Sequence, residues 1–279
     1  MHTSFQDLDL SNAFLFSAAL EDPDTCRLIL ETLLSVPVGR VTVHTEHSML
    51  FSSDFRSIRL DVYASNEALT EYNLEMQNEN EGNLAKHSRF HQAEMDVMSL
   101  LPGQDFDDLS PVYVIFICAF DPFGKGLYRY TFRNICQETG LPLNDGATRI
   151  FLNTKGSNQD DVPDVLVNFL HYVENSTDSY VDFLGDQTIN RIHERIMEVK
   201  KSRRWERRYM RFEELLRNSA KKGWEEGRKK GEEAGRKTGQ EQILELTSRM
   251  IAAGESDLIP RLRTDSVFLQ TMLEKYKLL

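Results

Sequence analysis

Two acidic residues, Asp61 and Glu75, lie in neighbouring segments whose residues alternate between apolar and polar, "RLDVY" and "YNLEMQ". Such alternation is typical of β-strands, in which successive side chains point to opposite faces of the sheet. If the connecting residues "ASNEALTE" close a hairpin centred near Ala68, its register pairs Asp61 with Glu75 and Arg59 with Gln77. The sequence therefore predicts two carboxylates side by side on one face of a strand pair.

Two carboxylates at this spacing repel each other unless another group lies between them. The Cβ atoms of directly opposite strand residues are about 4.5–5.5 Å apart, and like charges at that distance destabilise the pair. A divalent cation such as Mg²⁺ would remove the repulsion, because it takes oxygen ligands and is usually held by one or two carboxylates. The other interpretation of Asp61 and Glu75 is an exposed hairpin face whose acids keep the surface soluble.

The same residues carry a resemblance to a known family. Asp61, followed after thirteen residues by Glu75-Met76-Gln77, resembles the signature of the PD-(D/E)XK nuclease superfamily, in the variant that has Gln where Lys is usual. Over residues 9–175, the segments "RLDVY", "YNLEMQ", "VIFICAFDPFGKGLYRYTF" and "TRIFLNTKG" resemble the recombination-promoting nuclease, or transposase-like, branch of that superfamily.

The resemblance implies an α/β fold of the restriction-endonuclease type, with a mixed β-sheet flanked by helices and a C-terminal helical extension. It also implies a Mg²⁺- or Mn²⁺-dependent endonuclease that hydrolyses phosphodiester bonds in DNA. The metal would be held by the side chains of Asp61 and Glu75 and by the main-chain carbonyl of Met76. Gln77 would take the place of the usual lysine, so the expected catalytic residues are Asp61, Glu75 and Gln77.

Three further polar residues are candidates for contact with the substrate. Arg59 is opposite Gln77 in the predicted register and could supply the positive charge that an amide lacks. Arg89 and Gln92, on the helix after the hairpin, could contact the phosphate. The alternative for these two is an ordinary polar pair on the helix surface.

The chain departs from the family pattern at several places. The first helix of relatives begins with an acid and an aromatic residue followed by a lysine, and the matching places here hold Ala13 and Ala18. Relatives have two tyrosines after the helix arginine, where this chain has Phe90 and His91. The alternative function is therefore a catalytically inactive, nuclease-derived module that binds nucleic acid or protein.

Two histidines offer a second kind of metal ligand. His87 and His91 are four residues apart in a helical segment, so they share one face of the helix. A zinc site needs at least three protein ligands, and the sequence around the pair supplies no third one. The sequence alone therefore predicts no metal site at these histidines.

The remaining pattern predicts alternating helices and strands. Residues 11–35 indicate two helices broken at "EDPD", and "GRVTVHTE" indicates a short strand. "NLAKHSRFHQAEMDVMSLL" predicts a helix that packs on the sheet through Phe90, Ala93 and Val97. The continuously apolar "PVYVIFICAF" predicts a central strand covered on both faces. "LYRYTFRNI" and "RIFLNT" predict two more strands, and "DVPDVLVNFLHYVENS" predicts a helix.

Composition divides the chain near residue 187. Residues 1–186 are expected to form the nuclease-like domain, and residues 187–279 a basic helical region. The formal net charge is −11, yet residues 191–240 hold 17 Lys and Arg against 9 Asp and Glu. We call residues 191–240 the basic segment and expect it to lie along the phosphate backbone of DNA. The alternative is a solvated helix face.

Five glycines in the basic segment recur at every fourth residue, from Gly223 to Gly239. Each glycine destabilises a helix by about 1 kcal/mol relative to alanine, so this glycine repeat predicts a helix that frays or needs a partner. A stripe of small residues lets two helices approach closely. The repeat therefore favours a homo-oligomer formed through the C-terminal helices.

Composition also bounds the cellular compartment. No apolar run approaches the roughly 18 residues that would span a bilayer, and the acidic start "MHTSFQDLDL" lacks the apolar region of a signal peptide. The three cysteines are widely spaced and odd in number, which fits neither a disulfide framework nor a zinc pair. These features predict a soluble cytoplasmic protein with no membrane partner.

Overall fold

The structure is a computed structural model that describes residues 4–44 and 62–278. Within these residues, six strands form one sheet in the order β1-β2-β3-β4-β6-β5. The strands are β1 (Val41–Val43), β2 (Val62–Asn66), β3 (Glu71–Gln77), β4 (Val112–Cys118), β5 (Arg129–Phe132) and β6 (Ala147–Asn153). Strands β3, β4 and β6 are parallel, and the other neighbours are antiparallel.

Helices flank this sheet, so the predicted mixed sheet with flanking helices is confirmed. The α-helices in the described part of the chain are α1 (Ala13–Leu20), α2 (Pro23–Leu34), α3 (Leu84–Ser99), α4 (Asp164–Glu174), α5 (Asp178–Leu184), α6 (Gln187–Lys201), α7 (Arg203–Ala252) and α8 (Ser266–Lys275). The predicted break between the first two helices holds, because Asp22 caps α2 and Pro23 occupies its first turn.

The hairpin of β2 and β3 has the register that a centre at Ala68 requires. Val62 pairs with Leu74 and Tyr63 with Asn73. The side-chain oxygen of Asn66 closes the turn by accepting hydrogen bonds from two backbone N–H groups of the connector. The predicted pairs of Asp61 with Glu75 and of Arg59 with Gln77 lie outside the described residues.

Strand β4 is the central strand that its apolar sequence predicts. It lies between β3 and β6, and of its seven residues only Tyr113 is not fully buried. A parallel strand covered on both faces needs apolar side chains in both directions, which explains the absence of alternation. Helix α4 likewise buries its predicted inward residues, Leu166, Phe169, Leu170 and Val173.

The predicted inward face of α3 is wrong. Phe90 and Val97 are 49% and 78% exposed, and Ala93 is also exposed. The buried residues of α3 are instead Leu84, Ser88, His91 and Met95. The hydrophobic pattern selected the wrong face because the face that meets the sheet carries a serine and a histidine.

The compact units of the chain divide between Tyr209 and Met210, later than the change in composition at residue 187. The reason is that α6 is charged on one face and apolar on the other. Its buried face packs within the first unit, against α1, α2 and α4, through Ile189, Ile192 and Ile196. The basic segment therefore begins inside the folded core of the first unit.

The second unit, Met210–Leu279, has a small core of its own formed by Leu246, Met250, Leu262 and Met272. The glycine repeat predicts a helix that frays or needs a partner, and α7 runs through the repeat as one helix of 50 residues. A Cβ atom built on any glycine of the repeat meets no other atom within 4 Å. None of the described helices is long and apolar enough to cross a membrane.

Candidate metal centre

Polar side chains follow one another along one face of β3. Tyr63 is paired with Asn73, and its hydroxyl lies 3.3 Å from Nδ1 of His91 on α3, so this face of the sheet is turned towards α3. Because side chains alternate along a strand, the residues of β3 on the same face are Glu71, Asn73, Glu75 and Gln77. An uninterrupted polar column therefore lies between the sheet and the helix.

This polar column carries groups that destabilise the fold. Asn73 is 0% exposed, and neither amide atom has a hydrogen-bond partner in the part of the chain that the structure describes. A buried polar group without a partner costs about 1–3 kcal/mol. Burial, and then the negative charge of Asp96 on α3, raises the pKa of Glu71. Such an arrangement is typical of functional sites, where stability is given up for chemistry.

Three ligand atoms converge where β3 meets α3. Nε2 of His91 lies 3.1 Å from Oε2 of Glu75 and 2.9 Å from Nε2 of His87. Nε2 of His87 lies 3.8 Å from the same carboxylate oxygen. We call these three residues the Glu-His-His cluster. Its ligand atoms all lie within 4.8 Å of one another, close enough to hold a single metal ion.

The far side of the His91 ring faces a second carboxylate. Nδ1 of His91 lies 3.4 Å from Oε2 of Glu94, one turn further along α3. A histidine that binds a metal through one ring nitrogen almost always donates its other N–H to a carboxylate, a carbonyl or water. Glu94 is therefore placed to orient His91 with Nε2 turned towards Glu75.

Apolar surroundings enclose the cluster from the side of β4. The ring of Phe116, paired with Glu75 in the sheet, lies 5.4 Å from the ring of His87 and 6.1 Å from that of His91. Burial, followed by the charges of Glu75 and Asp121, raises the pKa of the nearby Cys118 to about 12. Without a metal Cys118 is therefore a protonated thiol, and the three ligand atoms of the cluster itself are one oxygen and two nitrogens.

The resemblance implies Mg²⁺ or Mn²⁺, and one of the three ligands in the cluster, the carboxylate of Glu75, suits such an ion. A carboxylate such as that of Glu75 suits Mg²⁺ and Mn²⁺ alike. Two imidazole nitrogens beside it suit a transition metal better than Mg²⁺, which prefers oxygen ligands and water. The residues that could hold a metal among those described are thus Glu75, His87 and His91.

The predicted catalytic and metal-binding residues that the structure describes lie together at the end of β3. Gln77 follows Glu75 on the same face, and its Nε2 donates a hydrogen bond of 2.8 Å to the backbone oxygen of Glu79. The side chain of Met76 is buried on the opposite face, and its backbone pairs with Ile117. Asp61 is outside the described residues.

Of the three predicted substrate-binding residues, the structure describes Arg89 and Gln92, and their surroundings differ. Arg89 is exposed on α3. The side-chain oxygen of Gln92 accepts a hydrogen bond from the guanidinium of Arg149 on β6, and Gln92 also hydrogen-bonds the carboxylate of Asp96 on α3. Arg59 is outside the described residues.

The sequence predicts no metal site at His87 and His91, because it shows no third ligand beside them. The third residue is Glu75, which lies sixteen positions before His91 and on a different element. One signal in the sequence could have identified Glu75 as the third ligand. It is a predicted metal-binding carboxylate, and two histidines that share a helix face follow it closely in the chain. Spacing along one helix cannot reveal a ligand contributed by a strand.

Comparison with known proteins supplies a family for this chain. A family model described as PD-(D/E)XK nuclease family transposase matches residues 24–222, which is more than half of the sequence. The matched region includes the hairpin, β4, β6 and α3 with the Glu-His-His cluster. Comparisons with curated protein sequences and with solved structures give no match.

Proposed function

Because the chain belongs to the PD-(D/E)XK nuclease family of transposases, we propose that it is a metal-dependent DNA endonuclease that hydrolyses phosphodiester bonds. The observation that supports the proposal most strongly is the position of Glu75. Its carboxylate is only 14% exposed and lies among other ligand atoms at the end of β3. A carboxylate in such surroundings is a candidate for holding a cation beside a substrate.

Asp61 completes the proposed acidic pair. It directly precedes Val62 in the chain, and Glu75 directly follows Leu74, the strand partner of Val62. We assign Asp61, Glu75 and the carbonyl of Met76 as ligands of Mg²⁺ or Mn²⁺. When bound, such an ion lowers the pKa of a water molecule and polarises the scissile phosphate.

Gln77 is assigned to the attacking water or the phosphate. An amide can donate a hydrogen bond and orient the water, but it brings no positive charge to the transition state. Arg59 and Arg89 are assigned to the substrate phosphates, where a guanidinium would supply that charge. Gln92 is assigned to the substrate phosphate as well, and its partner Arg149 adds a third guanidinium beside it.

DNA is the proposed partner of the basic segment as well. Its lysines and arginines would displace counterions from the phosphate backbone, which is the main source of affinity for nucleic acid without sequence preference. On this proposal the protein works in the cytoplasm and binds no membrane.

The test is nicking of a supercoiled plasmid with and without divalent metal. We expect nicking with Mg²⁺ or Mn²⁺, none with EDTA, and none by Asp61→Asn, because one ligand carboxylate is lost while the side-chain volume is kept. DNA binding by a chain that nicks under no metal condition would favour the inactive interaction module instead.

A further inference from the structure

We propose that the Glu-His-His cluster is a transition-metal site in which His87 and His91 join Glu75 as ligands, so that the protein binds Mn²⁺, Co²⁺ or Zn²⁺ in preference to Mg²⁺. The inference rests on the proposed function in sharing Glu75, and it names the class of ion that this residue holds. Neither histidine belongs to the nuclease signature on which that function was assigned.

The geometry of the cluster already matches metal–ligand bond lengths. The three ligand atoms form a triangle with sides of 2.9, 3.1 and 3.8 Å. The circle through the corners of such a triangle has a radius of about 1.9 Å, slightly below the metal–nitrogen bond length of about 2.0–2.1 Å. The three ligand atoms are therefore spaced so that all of them would be within bonding distance of one metal ion with the side chains in their present positions.

The orientation of the two imidazoles also favours an ion between them. Their Nε2 atoms are 2.9 Å apart and both turn towards Oε2 of Glu75. Two N–H groups cannot face each other at that distance, so at least one Nε2 presents a lone pair to this space. Nδ1 of His91 faces both the carboxylate of Glu94 at 3.4 Å and the hydroxyl of Tyr63 at 3.3 Å, and a proton on Nδ1 would leave the Nε2 lone pair directed at the centre of the cluster.

The ligand types decide which ions compete. Imidazole nitrogen suits first-row transition metals, and their affinities for such sites rise from Mn²⁺ towards Cu²⁺. Mg²⁺ gives up its water reluctantly and is held through oxygen. His91 is 0% exposed and His87 is 31% exposed, so the cluster is closed by α3 on one side and open beside His87.

Cobalt is the probe that reports this site directly. Co²⁺ takes the same ligands as Zn²⁺ and Mn²⁺, and its visible absorption depends on nitrogen and oxygen coordination. The full chain without DNA would be titrated with Co²⁺ and then with Mg²⁺ as competitor. His87→Gln removes one ligand from the half-buried position, and His171→Gln, on the exposed face of α4, is the matched control. Circular dichroism would confirm that each variant is folded.

We expect the wild type and His171→Gln to bind one Co²⁺ per chain with equal affinity. His87→Gln should bind at least about tenfold more weakly, since even residues that only support metal ligands change affinity by about 10–100-fold. A tenfold excess of Mg²⁺ should leave Co²⁺ in place. Equal affinity of His87→Gln and wild type, or displacement of Co²⁺ by equimolar Mg²⁺, would overturn the inference.

The cobalt titration tests the metal site and the nicking assay tests the nuclease function, so either proposal can be contradicted while the other is supported. A chain that binds Co²⁺ as expected and nicks no DNA under any metal condition contradicts the proposed function and supports the site. A chain that nicks DNA with Mg²⁺, and whose Co²⁺ affinity is unaffected by His87→Gln, supports the proposed function and overturns the site.

Discussion

Nε2 of His91 lies 3.1 Å from Oε2 of Glu75, so α3 and β3 together supply the ligand atoms of one centre. The contact joins a fully buried imidazole to a carboxylate that is 14% exposed. Each side chain thereby fixes the other's orientation. The position of α3 over the sheet is therefore as important to the proposed chemistry as the hairpin that carries Glu75.

Gln77→Ala should reduce nicking by roughly ten- to a thousandfold, as the loss of a single preorganised donor does in other enzymes. Gln77→Lys should retain activity, because it restores the residue usual in the superfamily. Single-turnover nicking of one supercoiled plasmid measures both variants. The double variant Arg59→Ala, Gln77→Lys tests whether Arg59 repels the new lysine. Wild-type rates from Gln77→Ala would remove Gln77 from the mechanism.

Glu71→Gln should stabilise the protein at neutral pH. The pKa of Glu71 is raised by burial and by Asp96, so its ionisation is less favourable in the folded than in the unfolded state. Stability is therefore lost as pH rises from the unfolded pKa to the raised folded pKa, and the amide avoids that loss. We expect a higher Tm for Glu71→Gln at pH 7 and a difference that disappears towards about pH 4.

The matched control for this melting series is Glu67→Gln, in the exposed turn of the hairpin. Glu67→Gln makes the same change from carboxylate to amide four residues before Glu71, but at an exposed position where no buried charge is removed. Its Tm should follow that of the wild type across the pH range. A Glu71→Gln protein that is less stable than wild type at pH 7 would show that the charge of Glu71 is stabilising.

The sheet could be predicted because its signals are local. The alternation around Leu74 and the uninterrupted apolar run of β4 each define a strand within a few residues, and the hairpin register follows from the length of the connector. The wrong face of α3 has a different origin. Phe90 and Val97 are the more apolar residues, yet His91 is buried because Glu75 and Tyr63 provide polar partners for it.

The Glu-His-His cluster could not be predicted from spacing alone. Glu75 and the histidines belong to different elements, and the turn of the chain between them decides whether they meet. The compact units and the change in composition divide the chain at different residues for a related reason. Charged residues of α6 begin the basic segment, but the isoleucines between them, Ile192 and Ile196, are buried in the first unit.

The basic segment should bind DNA with a steep dependence on salt. Deleting the whole segment would remove buried residues of α6, so the better variant changes exposed lysines of α7 to glutamine, at Lys221, Lys222, Lys229 and Lys230. Each lost phosphate contact should lower the slope of log K against log salt by about 0.9. Lys125→Gln, at an exposed lysine outside the segment, is the control. An unchanged slope in the fourfold variant would assign DNA contact to other residues.

Replacing the glycine repeat by alanine should increase helix content and thermal stability of residues 210–279. Each exchange favours the helix by about 1 kcal/mol, and the added Cβ atoms meet nothing within 4 Å in the chain itself. If the glycines instead pack against a second copy, the methyl groups would clash there. Light scattering measures the oligomeric state of the five-alanine variant and the wild type. The variant should form less oligomer than the wild type only if the glycines pack against a second copy.

The most direct test of the account is single-turnover nicking of supercoiled plasmid by Glu75→Gln beside Glu67→Gln, with Mg²⁺ and with Mn²⁺ in parallel. Glu75→Gln keeps the shape of the side chain and removes the charge that is proposed to hold the ion. We expect nicking at the metal-free background for Glu75→Gln and at the wild-type rate for Glu67→Gln. Wild-type nicking by Glu75→Gln with either metal would contradict it.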